Sequence, residues 1–203
     1  MNFLAHLYLS GNDEDLIVGN FIADMVKGRQ IENFHENVVR GIHMHRKIDS
    51  FTDSHPVVDK SKMRLRNKYR LYAGVVVDMF YDHFLASNWR EYSSLPLNKY
   101  VSNAYQLLLK NYFLLPVRAR NVLPFMIASN WLVNYAHMDK LQNNLQGMAR
   151  RTPFNSGMEQ AVDDLKKHYD DFAAEFAAFF PELIAYVERL GVSSQHHFGR
   201  EDQ

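Results

Sequence analysis

Cysteine is absent from the 203 residues, which excludes disulfides, thiolate metal ligands and a cysteine nucleophile. Net charge is absent as well: 23 basic residues balance 23 acidic ones. Nothing global therefore draws the chain to nucleic acid or a membrane, and an electrostatic partner must meet a local patch. No run approaches the roughly 18 to 20 apolar residues of a membrane span. The stretch from Met1 to Ser10 is apolar but short, lacks a basic leader and contains His6, so it does not read as a secretory signal. A cytoplasmic location is the expectation. Also missing are a glycine-rich phosphate loop and a Gly-x-Ser-x-Gly nucleophile elbow. What is present is a hydrophobic content of 47% with ten histidines. The first is enough for a globular core; the second directs any metal site toward nitrogen and oxygen ligands.

Helical periodicity dominates, which predicts an all-α fold. Asp13 or Asn12 caps a helix expected to reach about Lys27, with Gly28 as its stop. A second helix is predicted from about Glu32 to Thr52, and Pro56 opens a third that runs to Tyr69. A very apolar helix is predicted from Leu71 to Trp89. Others follow at about Leu97 to Tyr112, Arg120 to Tyr135 and Asp139 to Met148. A long helix is expected from Ser156 to Phe180, with Pro181 starting a last turn to Leu190. The domain is expected to span residues 1–190, and the polar tail 191–203 is expected to be disordered.

Several polar residues fall on apolar stripes. At 100° per residue, with Val38 at zero, Ile42 lies at about 40°, His45 at about 340° and Asp49 at about 20°. Asp24 shares a stripe with Ile17 and Phe21. Asp78 and Asp82 stand in Gly74-Val-Val-Val-Asp-Met-Phe-Tyr-Asp-His-Phe-Leu-Ala86, which is apolar nearly all round. A surface helix does not place carboxylates this way. Burying an unpaired carboxylate costs roughly several kcal/mol, and a shared cation removes that cost for all of them together. Asp24, His45, Asp49, Asp78, Asp82 and His83 therefore form a pool of metal ligands and of groups that orient them. His6, His43 and Asp53 are further candidates. Single buried aspartates are more often caps or arginine partners, and Arg40, Arg46, Lys47 and Arg70 are available as such partners. Glu32-Asn-Phe-His35 fits a Glu-x-x-His ligand pair, but a di-iron bundle needs two. Phe172, Phe176, Phe179 and Phe180 read as core.

At these residues the chain resembles the acyl carrier protein phosphodiesterase family, also called holo-acyl-carrier-protein hydrolase. The resemblance lies in Met1-Asn-Phe-Leu-Ala-His-Leu7, Gly19-Asn-Phe-Ile-Ala-Asp24, Gly41-Ile-His-Met-His-Arg-Lys-Ile-Asp49, Thr52-Asp53, Asp78 and Asp82-His-Phe-Leu85. It continues in Met138-Asp-Lys-Leu-Gln-Asn-Asn-Leu-Gln-Gly-Met-Ala149 and Arg151. It implies a single-domain compact helical bundle like that of HD-domain phosphohydrolases, although here the adjacent pair reads Asp82-His83 rather than His-Asp. It also implies removal of 4′-phosphopantetheine from holo-acyl carrier protein, within fatty acid biosynthesis. Mn²⁺ is the favoured cofactor, with Mg²⁺, Fe²⁺ or Co²⁺ as alternatives. His43, Arg46 and His6 are the candidates for phosphate contact or proton transfer. The alternative is an HD-type hydrolase of a nucleotide or other small phosphodiester.

The resemblance also implies an acidic protein partner. Lys60, Lys62, Arg64, Arg66, Lys68 and Arg70 form a basic run with no acid between them, and are the expected docking residues. Neither nucleic acid nor a membrane is expected as a partner.

Overall fold

The computed structural model describes residues 1–150 and 152–191, and these form helices joined by short turns and loops, with no strand among them. The all-α expectation is met. The tail from residue 192 on, and Arg151, lie outside the described residues. Twelve α-helices occur among the described residues: α1 (Phe3–Leu9), α2 (Glu14–Ile22), α3 (Glu36–Ser54), α4 (Pro56–Tyr69), α5 (Ala73–Ser87), α6 (Trp89–Tyr92), α7 (Leu97–Lys110), α8 (Val117–Ala128), α9 (Trp131–Asn134), α10 (Met138–Ala149), α11 (Ala161–Lys167) and α12 (Tyr169–Arg189). No helix among them is long and apolar enough to cross a membrane.

Helix α5 is the axis of the molecule. Val76, Val77, Met79, Phe80, Tyr81, Phe84 and Leu85 are wholly buried, and α1, α4, α10 and α12 pack around them. The phenylalanines of α12 close the other side of this core. Phe172 meets Phe80 edge to face, and Phe176 meets Tyr81 in the same way, an arrangement suited to the aromatic quadrupole.

Helix boundaries follow local chemistry in several places. Asp13 caps α2, accepting hydrogen bonds from the Asp15 and Leu16 amides, which satisfies two of the helix's open N–H groups. Pro56 opens α4, where its missing N–H is not needed. Several boundaries differ from expectation; the helix expected from Arg120 to Tyr135, for one, breaks at Ser129 and Asn130 into α8 and α9. Helix α2 stops at Ile22 and tightens into a 3-10 turn, Ala23–Met25, that carries Asp24; Gly28 begins a second such turn. The Met1–Ser10 segment, unassigned from its pattern, contains α1. The long C-terminal helix breaks at His168 and then continues through Pro181. A proline inside a helix forfeits a hydrogen bond at a cost of about 3 kcal/mol. Here the surrounding turns bury Phe179, Phe180, Leu183 and Val187 in the core, and that burial outweighs the loss.

Asp82 ties α5 to α1. Its side chain is fully buried, and its two oxygens accept from the backbone amides of Asn2 (3.3 Å), Leu4 (2.8 Å) and Ala5 (3.3 Å). These are open N–H groups at the start of a short helix, so the carboxylate acts as a remote N-cap. Burial still pushes its carboxyl up to about 7, against those three donors. Replacing Asp82 with Ala strands the buried amides and is expected to destabilise the protein by about 2–4 kcal/mol. Thermal melting checks this; an unchanged melting temperature would show that α1 needs no such anchor.

Candidate metal centre

Two glycines set the geometry of the site. Helices α2 and α3 cross in backbone contact at Gly19 and Gly41. A Cβ at Gly19 would stand 2.1 Å from the Val38 carbonyl oxygen, and one at Gly41 would stand 2.6 Å from that of Leu16. Any side chain at either position would force the helices apart. The next turn of α3 carries His45, which this close approach brings against Asn20 of α2 and Asp24 of the following 3-10 turn.

His45 is buried, and both ring nitrogens are engaged. Asn20 donates its amide N–H groups to the His6 carbonyl oxygen and to Ser10 Oγ, both at 2.9 Å. Its Oδ1 is thereby turned to accept from His45 Nδ1 at 2.9 Å. That contact fixes the imidazole and leaves Nε2 facing two carboxylates, Asp24 Oδ1 at 3.2 Å and Asp49 Oδ2 at 3.1 Å. Orienting a histidine through its second nitrogen is how proteins present the first to a ligand. The other oxygen of Asp49 lies 3.1 Å from His6 Nε2. The His6 and His45 rings stack with centroids 3.9 Å apart. Asp49, one turn along α3 from His45, thus joins two imidazoles drawn from two helices. The Met1 α-amino group stands 3.7 Å from Asp49 Oδ1 and 3.0 Å from Asp78 Oδ1, which places Asp78 one step outside the cluster.

The electrostatics are polarised. Burial, with the His45 charge as a second cause, drives His6 down to about 4. His6 is therefore neutral near pH 7, with one ring nitrogen protonated and the other carrying a lone pair. Burial works against a charge on His45 too, but hydrogen bonds to Asp24 and Asp49 outweigh it and raise His45 to about 9. The hydrogen bond from His45 lowers Asp24. Burial would raise Asp49, yet hydrogen bonds from His45 and His6 hold it well below the usual carboxylate range. A proton on His45 Nε2 is thus shared between two ionised carboxylates, and the Met1 ammonium stands beside Asp49 as a second positive charge.

The donor set fits a divalent cation. His6, His45 and Asp49 bring ligand atoms within 4.8 Å of one another. His6 Nδ1 is buried without a hydrogen-bond partner, so only the cluster side of that ring is held. Asp24 is the accessible member, with 77% of its side chain exposed, against 38% for Asp49. Two imidazoles and one or two carboxylates suit a borderline or hard ion such as Mn²⁺, Fe²⁺, Zn²⁺ or Mg²⁺.

Of the residues singled out from the sequence, Asp24, His45, Asp49 and His6 come together. Asp82 and His83 do not. The oxygens of Asp82 are occupied by backbone amides, as described above. His83 lies in a separate buried niche, its Nδ1 2.8 Å from the Tyr135 carbonyl and its Nε2 3.3 Å from the Tyr169 hydroxyl. His43 and Arg46 are exposed on α3 and make no hydrogen bond to the cluster. Asp53 pairs with Lys62 at 2.6 Å. His35 faces Asp15 on the surface. In the basic run, Lys60 and Arg64 bind Glu175, Lys62 binds Asp53 and Lys68 binds Asp164. Only Arg66 and Arg70 of the six have no acidic partner among the described residues. Asn20 escaped the sequence reading, although it stands on the same apolar stripe of α2 as Asp24.

Comparison with known proteins gives a consistent picture. The family model described as acyl carrier protein phosphodiesterase matches residues 1–183. Relatives named acyl carrier protein phosphodiesterase from Escherichia coli strains SMS-3-5 and ED1a are each 38% identical over 190 residues. The match covers 93% of this chain and 98% of each relative. No solved structure matches significantly.

The charge pattern has a measurable consequence. The raised value of His45 means that its stabilising contribution is full below its ordinary value of 6.5 and is lost as pH rises through about 9. With chelator present, the melting temperature is expected to fall between about pH 6.5 and 9. A saturating divalent cation replaces that proton, so the loaded protein should lack the alkaline decline. Melting curves at several pH values, with and without Mn²⁺, check this. A flat profile in chelator would show that no proton is held between Asp24 and Asp49.

Proposed function

Because the chain belongs to the acyl carrier protein phosphodiesterase family, we propose that it hydrolyses the phosphodiester joining 4′-phosphopantetheine to a serine of holo-acyl carrier protein. Water adds to phosphorus, the bond to the serine oxygen breaks, and that oxygen leaves with a proton. The products are apo-carrier protein and 4′-phosphopantetheine. The observation that carries this reading is the convergence of His6, His45 and Asp49, with Asp24 beside them at the surface. His6, His45 and Asp49 would hold the divalent ion, with Mn²⁺ favoured, and Asp24 stands ready as a fourth donor, through oxygen. Bound there, the ion supplies Lewis acidity for a phosphoryl oxygen and lowers the pKa of water.

The chain's own groups divide the remaining work. Asn20 keeps His45 in the orientation that presents Nε2. Asp49 neutralises the site and ties its two histidines together. Asp24, exposed and ionised, is positioned to accept a proton from entering water. Arg46 stands one turn before Asp49 on α3, a spacing that brings Cβ atoms to about 5–6 Å, and it is the cation for a non-bridging phosphate oxygen. A distant relation to HD phosphohydrolases would rest on His45 and Asp49, four residues apart on one helix, rather than on Asp82-His83. Residues 1–190 form the catalytic domain in this reading.

Mass spectrometry of holo-acyl carrier protein incubated with enzyme and Mn²⁺ is expected to show loss of the phosphopantetheine mass. Asp49→Ala and Asp24→Ala should each reduce that release by about a hundredfold or more, while leaving the chelated protein folded by circular dichroism. Turnover of free nucleotides with none of the carrier protein would transfer the site to a small phosphodiester. Full activity in Asp49→Ala would remove the cluster from the reaction.

A further inference from the structure

The outer face of α3 carries charge that the rest of the molecule does not neutralise. Arg40, His43, Arg46, Lys47 and Ser50 line a cleft of about 540 Å³ together with Tyr186 of α12. Arg40, Arg46 and Lys47 are exposed, and none has an acidic partner among the described residues. Arg40 makes only a long contact, 3.4 Å, to Asn37 Oδ1. The basic run of α4 behaves in the opposite way, with four of its six cations in ion pairs. No carboxylate lines the α3 cleft. Its aromatic wall is rigid, because Tyr186 stacks on Phe51 with centroids 4.5 Å apart.

From this we infer that the α3–α12 cleft, rather than the α4 run, is the docking surface for an acidic face of the protein substrate. The inference rests on the proposed function for the identity of that substrate. Its occupant is argued from charge complementarity: three unpaired cations within one concave surface suit a partner that presents carboxylates. Position supports it as well. Arg40 and Lys47 lie on the side of α3 opposite His45 and Asp49, with Arg46 and Ser50 between. A helix with its side chains is about 10–12 Å across. A partner seated on Arg40 and Lys47 therefore holds an adjoining loop within one helix width of Asp24 and Asp49, the accessible members of the cluster.

The test uses a double charge reversal, Arg40→Glu with Lys47→Glu, because neither residue belongs to the proposed reaction machinery. Binding of fluorescently labelled acyl carrier protein is read by anisotropy, and release of phosphopantetheine is read in parallel. The variant is expected to raise both Kd and KM by roughly tenfold with kcat unchanged, and the wild-type Kd should rise steeply with salt. The corresponding reversal at Arg66 and Arg70 should leave both within about twofold. A wild-type Kd that the α3 reversal leaves unchanged, or one moved only by the Arg66 and Arg70 reversal, overturns the inference. So does wild-type protein that fails to bind the carrier protein at all. Binding that obeys the α3 prediction without any release of phosphopantetheine would instead remove the proposed reaction and keep the surface. Arg40→Gln with Lys47→Gln serves as the milder variant should the reversal perturb folding.

Discussion

The backbone contact between Gly19 and Gly41 is the constraint from which the site follows. Helices normally stand 8–10 Å apart, separated by their side chains. Here there is no side chain at the crossing point, and a single methyl group would meet backbone on the opposing helix. The following turn of each helix therefore approaches its neighbour more closely than ordinary packing permits. That closeness lets Asn20, a short side chain on α2, reach the ring of His45 on α3. It also lets Asp24 reach the other nitrogen of the same ring. With wider separation the same residues would be unconnected polar groups on two apolar faces, each with its own desolvation cost.

Given that crossing, the charges have few arrangements open to them. Asp24 and Asp49 both press on one imidazole nitrogen, and a site with two ionised carboxylates and no positive charge would be strongly unfavourable in a half-buried position. The Met1 ammonium, 3.7 Å from Asp49 alone of the two, meets part of that demand, and a proton on His45 is the smallest species that serves both carboxylates. Protonating His6 as well is opposed by burial and by the neighbouring His45 charge, so the second imidazole remains neutral. The result is a carboxylate-rich cluster with one neutral nitrogen donor and one exchangeable cation. That is the state in which a metal ion displaces a proton with the least rearrangement.

Reading apolar stripes located part of this cluster, and the reason it succeeded also explains where it did not. A polar residue on an apolar face must find a partner, but the stripe does not say which. For Asp24, His45 and Asp49 the partners are one another. For Asp82 they are three amides at the start of α1, residues about 80 positions away in sequence. For His83 they are a carbonyl of Tyr135 and the hydroxyl of Tyr169. Periodicity predicts burial, which Asp24 escapes with 77% of its side chain exposed, and it is silent on long-range pairing, so all six residues looked alike. Asn20 carried the same signal as Asp24, yet an uncharged amide demands a partner less urgently and drew no attention. The all-α architecture was legible because its cause is local. The passage of α12 through Pro181 was not, because core burial around Phe179, Phe180 and Leu183 overrides a local penalty.

Surface charge obeys the same logic in reverse. The run from Lys60 to Arg70 is the most conspicuous basic segment in the sequence, and the fold largely neutralises it. Spacing by two spreads these residues around α4, where Arg64 and Lys60 meet the buried Glu175, and Lys68 meets Asp164. Those carboxylates come from α12 and α11, more than 90 residues away, and no local pattern announces them. The bases of α3 are fewer and are interrupted by His45 and by apolar residues, so they make a weaker pattern in one dimension. In three dimensions they are left without acids among the described residues, as Arg66 and Arg70 of the α4 run are, but they are gathered beside Tyr186, which stacks on Phe51. The charge available to a partner is the charge the fold has not already paired, and the helix that carries His45 and Asp49 gathers three such cations, Arg40, Arg46 and Lys47, at one cleft.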